Sequence, residues 1–180
     1  MENKRYEMRF AGSGGQGVIL ASVILAEAAV IAGRHTVQSQ AYGPEARGGV
    51  SKAETIVSDE QIWYSKVTKP DFLLALTQAS LDAYSKTLAP GAVVMMDDSL
   101  VRPALPEGTR VIEIAILRTA KEVVGKAFTA NIVAVGAINA ALRLFDDDCL
   151  LEAVRRHIPA GTEEINKKAL DAGAALIAQG

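Results

Sequence analysis

The sequence predicts an α/β fold: a central, mostly parallel sheet flanked by helices, with a helical C-terminal third. Three observations carry that expectation. Short apolar or β-rich runs alternate with helix-spaced segments as far as residue 114. A glycine-rich turn, Gly12-Ser13-Gly14-Gly15-Gln16-Gly17, joins the first such run to the first helix. From residue 119 onward only helical patterns remain. At 180 residues, 49% hydrophobic and 22% charged, the chain is long enough for one domain with a sizeable core. No Gly-, Pro- or Ser-rich linker and no internal repeat divides residues 1–180.

Residues 6–11 form the first expected strand, and residues 17–32 a helix stopped by Gly33, a residue suited to the left-handed C-terminal position. Residues 35–40 read as a second strand. Residues 50–58, where Val50, Ala53, Thr55 and Val57 partly alternate, read as a third. After Lys69-Pro70, the apolar run 71–76 is a buried strand, 80–88 a helix, and Pro90-Gly91 a turn. Residues 92–96 are another buried strand, ending at Asp97-Asp98, and 110–114 the last one. Helices follow at 119–126, 131–144, 147–157 and 162–179.

Two of these helices, 17–32 and 131–144, are apolar nearly all round, and such a helix must be covered on every side. Either both are central core helices or one lies at a subunit interface.

The bulk properties exclude several function classes. A net charge of −2, 5% aromatics and no dense Lys/Arg run argue against a nucleic-acid partner. The longest apolar run, 18–32, is interrupted by Ser22 and Glu27 and is short for a bilayer, so no membrane partner is expected. Residues 1–9 lack the apolar core of a signal peptide, which points to a cytoplasmic protein. Cys149 stands alone beside Asp146, Asp147 and Asp148, whose charges disfavour a thiolate. It reads as an inert thiol.

Chemistry concentrates in two loops. In the first, Gly12, Gly14, Gly15 and Gly17 free the backbone to turn tightly, and the following helix adds unpaired N–H groups and a positive dipole end. Such a turn suits an anion. The spacing satisfies G-x-G-x-x-G, but a dinucleotide site also wants an acidic residue after the second strand. Here that strand reads His35-Thr36-Val37-Gln38-Ser39-Gln40, with no Asp, Glu or Arg. No Gly-Lys-Ser/Thr follows the glycines either, which excludes a P-loop. Two readings stand: a site for some other phosphate or carboxylate, or a tight strand-to-helix turn packed against a neighbour.

The second loop is Ser39-Gln40-Ala41-Tyr42-Gly43-Pro44-Glu45-Ala46-Arg47-Gly48-Gly49. Gly43-Pro44 sets a turn and Gly48-Gly49 frees the backbone after Arg47. Arg47 suits a bidentate carboxylate or phosphate, or a salt bridge with Glu45 or a neighbouring subunit. Tyr42 is either a hydrogen-bonding ligand contact or a buried side chain with its hydroxyl satisfied. Elsewhere, His35 and His157 have no metal-ligand spacing with each other or with Cys149. Asp97-Asp98 reads as an exposed turn rather than a cation site, and Asp146 to Asp148 as a helix-start cap. No nucleophile–base pair can be assembled, so the catalytic set is empty.

At these two loops the sequence resembles the gamma subunit of 2-oxoacid:ferredoxin oxidoreductases. Lys66-Val67-Thr68-Lys69-Pro70-Asp71 and Asn131-Ile132-Val133-Ala134-Val135-Gly136-Ala137 extend the resemblance over essentially the whole chain. Tyr-Gly-Pro-Glu-Ala-Arg-Gly-Gly looks most like the 2-oxoglutarate branch, with the 2-oxoisovalerate branch a close competitor and pyruvate a further one. The resemblance implies a holoenzyme that decarboxylates a 2-oxoacid on thiamine diphosphate with Mg, passes two electrons through [4Fe–4S] clusters to ferredoxin, and transfers the acyl group to coenzyme A. It implies alpha and beta partner subunits, and in some members a delta ferredoxin-like one, that hold those cofactors. For this chain it implies Gly12, Gly14, Gly15, Gln16, Gly17, Tyr42, Glu45, Arg47 and Gly48 as cofactor-binding positions, by way of coenzyme A phosphates or of the interface that shapes the cavity. A non-catalytic nucleotide-binding module or a purely structural assembly subunit is the alternative.

Overall fold

The structure, a computed structural model, describes residues 5–41 and 50–178. Its centre is a six-stranded sheet of β1 (Tyr6–Gly12), β2 (His35–Ala41), β3 (Ser51–Ser58), β4 (Phe72–Ala75), β5 (Val93–Asp97) and β6 (Arg110–Ile114). The spatial order is β2-β3-β1-β4-β5-β6. From β1 through β4 and β5 to β6 the strands are parallel, while β3 runs antiparallel to both neighbours. The short link from β2 to β3 allows only an antiparallel pair, because a parallel one needs a long crossover. β3 then lies along β1 over its whole length, from Tyr6↔Val57 to Gly12↔Ser51.

Strand alternation sorts the core into two layers. Met8, Phe10, Phe72, Leu74 and Met95 face the cluster that holds helices α1 (Val18–Ile31), α4 (Ala130–Leu142), α5 (Asp147–His157) and α6 (Glu163–Ala178). Ala11, Leu73, Ala75, Val94 and Met96 face the other side, with Leu81 of α2 (Gln78–Tyr84). Thr77 and Ser80 cap α2 reciprocally, each side chain reaching the other's backbone. That cap starts the helix two residues earlier than the apolar spacing predicts. The predicted helix 119–126 is instead a short α3 (Ile116–Arg118) running into a π-helical turn, Thr119–Val124, closed by Gly125 at φ 89°.

Of the two all-apolar helices, α4 is a core helix, whereas α1 buries one side and leaves Val30 exposed, with Ile19, Leu20 and Val23 only partly covered. Every residue from Ala130 to Asn139 in α4 is buried, and eight of the fourteen residues of α1 are too. The chain's own C-terminal helices supply the cover: α5 lies on α1, and α6 packs the length of α4. The α4–α6 contact is close because both sides lack a side chain there. A Cβ at Gly136 would meet the carbonyl of Leu170, and one at Gly173 the carbonyl of Val133. An interface role is therefore not needed to explain the apolarity of α4. Among the described residues, no helix is long and apolar enough to cross a membrane.

Candidate functional site

The four parallel strands end on one edge of the sheet. β1 and β4 are neighbours there, yet the helices that follow them pack on opposite faces: α1 joins the layer of Phe10 and Leu74, α2 the layer of Ala11 and Ala75. The two connections diverge there, and by topology such a divergence defines the crevice outside the carboxyl ends of the strands in which open α/β sheets bind ligands. The glycine turn forms one lip. Leu76 and Thr77, after β4, form the other.

Within the turn, the glycines answer different demands. Gly17 has φ 68°, and a Cβ on it would lie 2.8 Å from the Asn131 amide nitrogen. A Cβ on Gly12 would lie 2.6 Å from Gln16 Oε1. At Gly15 it would meet nothing within 4 Å among the described residues, and at Gly14 only Ser51 Oγ, at 3.8 Å. Gly12 and Gly17 thus permit packing and turning, whereas Gly14 and Gly15 are exposed and leave the backbone open. α1 begins directly behind them with no side-chain cap and no acidic residue in its first turn, so nothing in the helix's own first turn compensates its positive end. An anion is what this arrangement can bind.

The Gln16 side chain reaches from one lip to the other. Its Oε1 accepts the Ser13 N–H at 2.8 Å and its Nε2 donates to the Leu76 carbonyl at 3.1 Å. Asn131, at the start of α4, is a residue that the sequence reading did not place in the site. It is 4% exposed and lies against Gly17. A polar residue opening a helix whose other residues, Asn139 apart, are apolar was the available signal.

The second motif is anchored at the same edge. Ala41 pairs with Lys52, and Ser51 with Gly12, so the segment joining β2 to β3 leaves and returns beside the glycine turn. Tyr42, Glu45, Arg47 and Gly48 themselves lie outside the described residues. Also on this edge, Asp97 differs from the exposed turn that its sequence suggests. It is 1% exposed and accepts hydrogen bonds from the Ser99 N–H and hydroxyl and from the Leu117 N–H at 2.8 Å. The carboxylate is buried because it caps the start of α3 and holds the β5 turn. Asp98 pairs with Arg118 at 2.8 Å.

Two other polar features are structural. Arg9 and Glu54 form a buried ion pair across β1 and β3 at 2.7 Å, with Arg9 also donating to the Val67 carbonyl and lying over the Tyr84 ring. A cleft of about 650 Å³ lies at the far end, where α4 finishes, lined by Asn139, Arg143, Phe145 and Ile177 among others. The Asn139 amide is already spent on both backbone groups of Phe145. Among the described residues no three His, Cys, Asp or Glu side chains gather as a metal site.

Comparison with known proteins places this geometry in a family. The chain is 42% identical to the 2-oxoglutarate synthase subunit KorC of Methanothermobacter thermautotrophicus, over 98% of its own length and 97% of that protein's. It is 35% identical to the ketoisovalerate oxidoreductase subunit VorA of Methanothermobacter marburgensis, covering 96% of this chain but 37% of that longer one. The crystal structure of the gamma subunit of a keto/oxoacid ferredoxin oxidoreductase from Geobacter sulfurreducens superposes with a TM-score of 0.86 at 44% identity, covering 97% of this chain and 99% of that one. Residues 7–176 match the pyruvate ferredoxin/flavodoxin oxidoreductase family, and the chain belongs to it.

Proposed function

We propose that this chain is the gamma subunit of a 2-oxoglutarate:ferredoxin oxidoreductase and that its carboxyl-edge crevice receives the phosphates of coenzyme A. The observation that carries the reading is the open, uncapped start of α1 behind Gly14 and Gly15, with the anchors of the Tyr42–Gly49 loop beside it. The higher identity to KorC than to VorA supports 2-oxoglutarate.

In the holoenzyme, 2-oxoglutarate, coenzyme A and oxidised ferredoxin give succinyl-CoA, carbon dioxide and two reducing equivalents on ferredoxin. Thiamine diphosphate with Mg and the [4Fe–4S] clusters belong to the partner alpha, beta and delta-type subunits and supply the carbon–carbon cleavage and electron transfer. This chain's part is binding. The N–H groups of Gly14 and Gly15 and the dipole of α1 attract phosphate, and a guanidinium such as that of Arg47 suits a phosphate bidentately. Asn131 offers a further polar group behind Gly17. Tyr42, Glu45 and Gly48 are the further positions that the family resemblance assigns to the same ligand.

The test is the assembled enzyme carrying Arg47→Ala. The KM for coenzyme A should rise about tenfold or more while the KM for 2-oxoglutarate holds, as expected for one lost charge-assisted contact. An intact complex with both constants unchanged would remove the ligand role; a complex that falls apart would assign Arg47 to the subunit interface. The similarity to VorA keeps 2-oxoisovalerate as the second substrate. Comparing kcat/KM for the two acids in ferredoxin or viologen reduction separates them.

A further inference from the structure

We propose that Gln16 is the positioning residue of the crevice, a brace between its two lips rather than a ligand. The inference rests on the reading that coenzyme A phosphates enter there. Both ends of the Gln16 amide are occupied within the protein. Its oxygen takes the Ser13 N–H, its nitrogen gives a hydrogen bond to the Leu76 carbonyl, and its own backbone N–H closes the turn on the Ser13 carbonyl at 3.1 Å. Leu76 is fastened in turn to β1, its N–H donating to the Ala11 carbonyl at 3.0 Å. The side chain therefore ties the β1–α1 turn to the segment after β4 at the very point where the two diverge.

A side-chain amide suits this role because it carries one acceptor and one donor on separate atoms of the same planar group. The brace also explains Gly12, whose missing Cβ makes room for the Gln16 oxygen. Ser13 N–H is turned inward by the bond, whereas the N–H groups of Gly14 and Gly15 donate to no described residue. Gln16 thus decides which amides of the turn face a ligand and holds them still before it arrives, which lowers the ordering cost of binding.

The experiment uses the assembled holoenzyme with Gln16→Met, which keeps length and removes both hydrogen bonds. The KM for coenzyme A should rise about tenfold, the size expected for losing about 1.4 kcal/mol of preorganisation, with kcat and the 2-oxoglutarate KM within twofold of the parent. Amide hydrogen exchange at residues 13–17 should accelerate in the same variant, without ligand. If Gln16→Met does not assemble, Gly12→Ala, whose new Cβ displaces the Gln16 oxygen, must give the same signature. An unchanged coenzyme A KM in the assembled variant overturns the proposal. Gly15→Val, which puts bulk into the crevice itself, then tells which idea failed. A raised coenzyme A KM in Gly15→Val leaves the binding reading standing without the brace, and an unchanged one removes both.

Discussion

Gly136 and Gly173 at the α4–α6 crossing and Gly14 and Gly15 in the turn before α1 are the same residue put to opposite ends. At the crossing, glycine lets two backbones touch, and the space that a side chain would need is filled by carbonyl groups of the facing helix. In the turn, no described residue crowds the space beside Gly14 and Gly15, and among the described residues the backbone itself is what is displayed. One pair makes the fold dense; the other leaves it accessible. A glycine signals function where its neighbourhood is empty and packing where it is full.

The contrast breaks most visibly at the crossing. Gly173→Ala must push α6 away from α4, and we expect about 3 kcal/mol of lost stability, or a melting temperature lower by roughly 10 °C. A thermal melt unchanged to within a couple of degrees would mean that the crossing is looser than described. Gly17→Ala should fall between the extremes. Its φ of 68° and its contact with Asn131 together predict a loss of about 2 kcal/mol in urea unfolding. Gly15→Ala and Gly14→Ala should leave stability within about 0.5 kcal/mol of the parent, since neither glycine has positive φ and neither new Cβ is crowded. A large loss in either would show that the turn is packed rather than open.

The smallest effect lies away from both regions, at Tyr6. Burial first, and the charge of Asp71 second, push its phenol from 10.0 up to about 12. The folded protein therefore holds that proton after the unfolded chain has released it. The contribution is intact below about pH 10 and is lost as pH rises toward 12. Tyr6→Phe should flatten this alkaline limb of the urea midpoint and leave the midpoint at neutral pH nearly unchanged. A limb as steep as the parent's would mean that other groups titrate there.

Much of the chain was legible because local chemistry and tertiary demand agree. Gly33 stops α1, with φ 72° just past the helix, and β6 (Arg110–Ile114) and α5 (Asp147–His157) fall on the predicted bounds. The three aspartates do stand at the start of α5, although the Asp146 side chain makes no capping bond and only the charge–dipole interaction remains. Less legible were features that depend on a partner distant in sequence. Asp97 looks like a turn residue until Leu117, twenty residues on, is brought to its carboxylate. Nothing in the segment around Gln16 announces its hydrogen bond to the Leu76 carbonyl, sixty residues on.

What the sequence determined by itself was the α/β alternation, the helical last third, the two loops and the family they resemble, because periodicity, glycine placement and contiguous motifs are local properties. Only the tertiary structure decided which glycines are filled and which are open, that α5 and α6 cover the apolar helices, and that both loops spring from one edge of the sheet. Those outcomes depend on which atoms arrive from elsewhere in the chain. The spacing of residues along one segment does not specify what will occupy the space beside it.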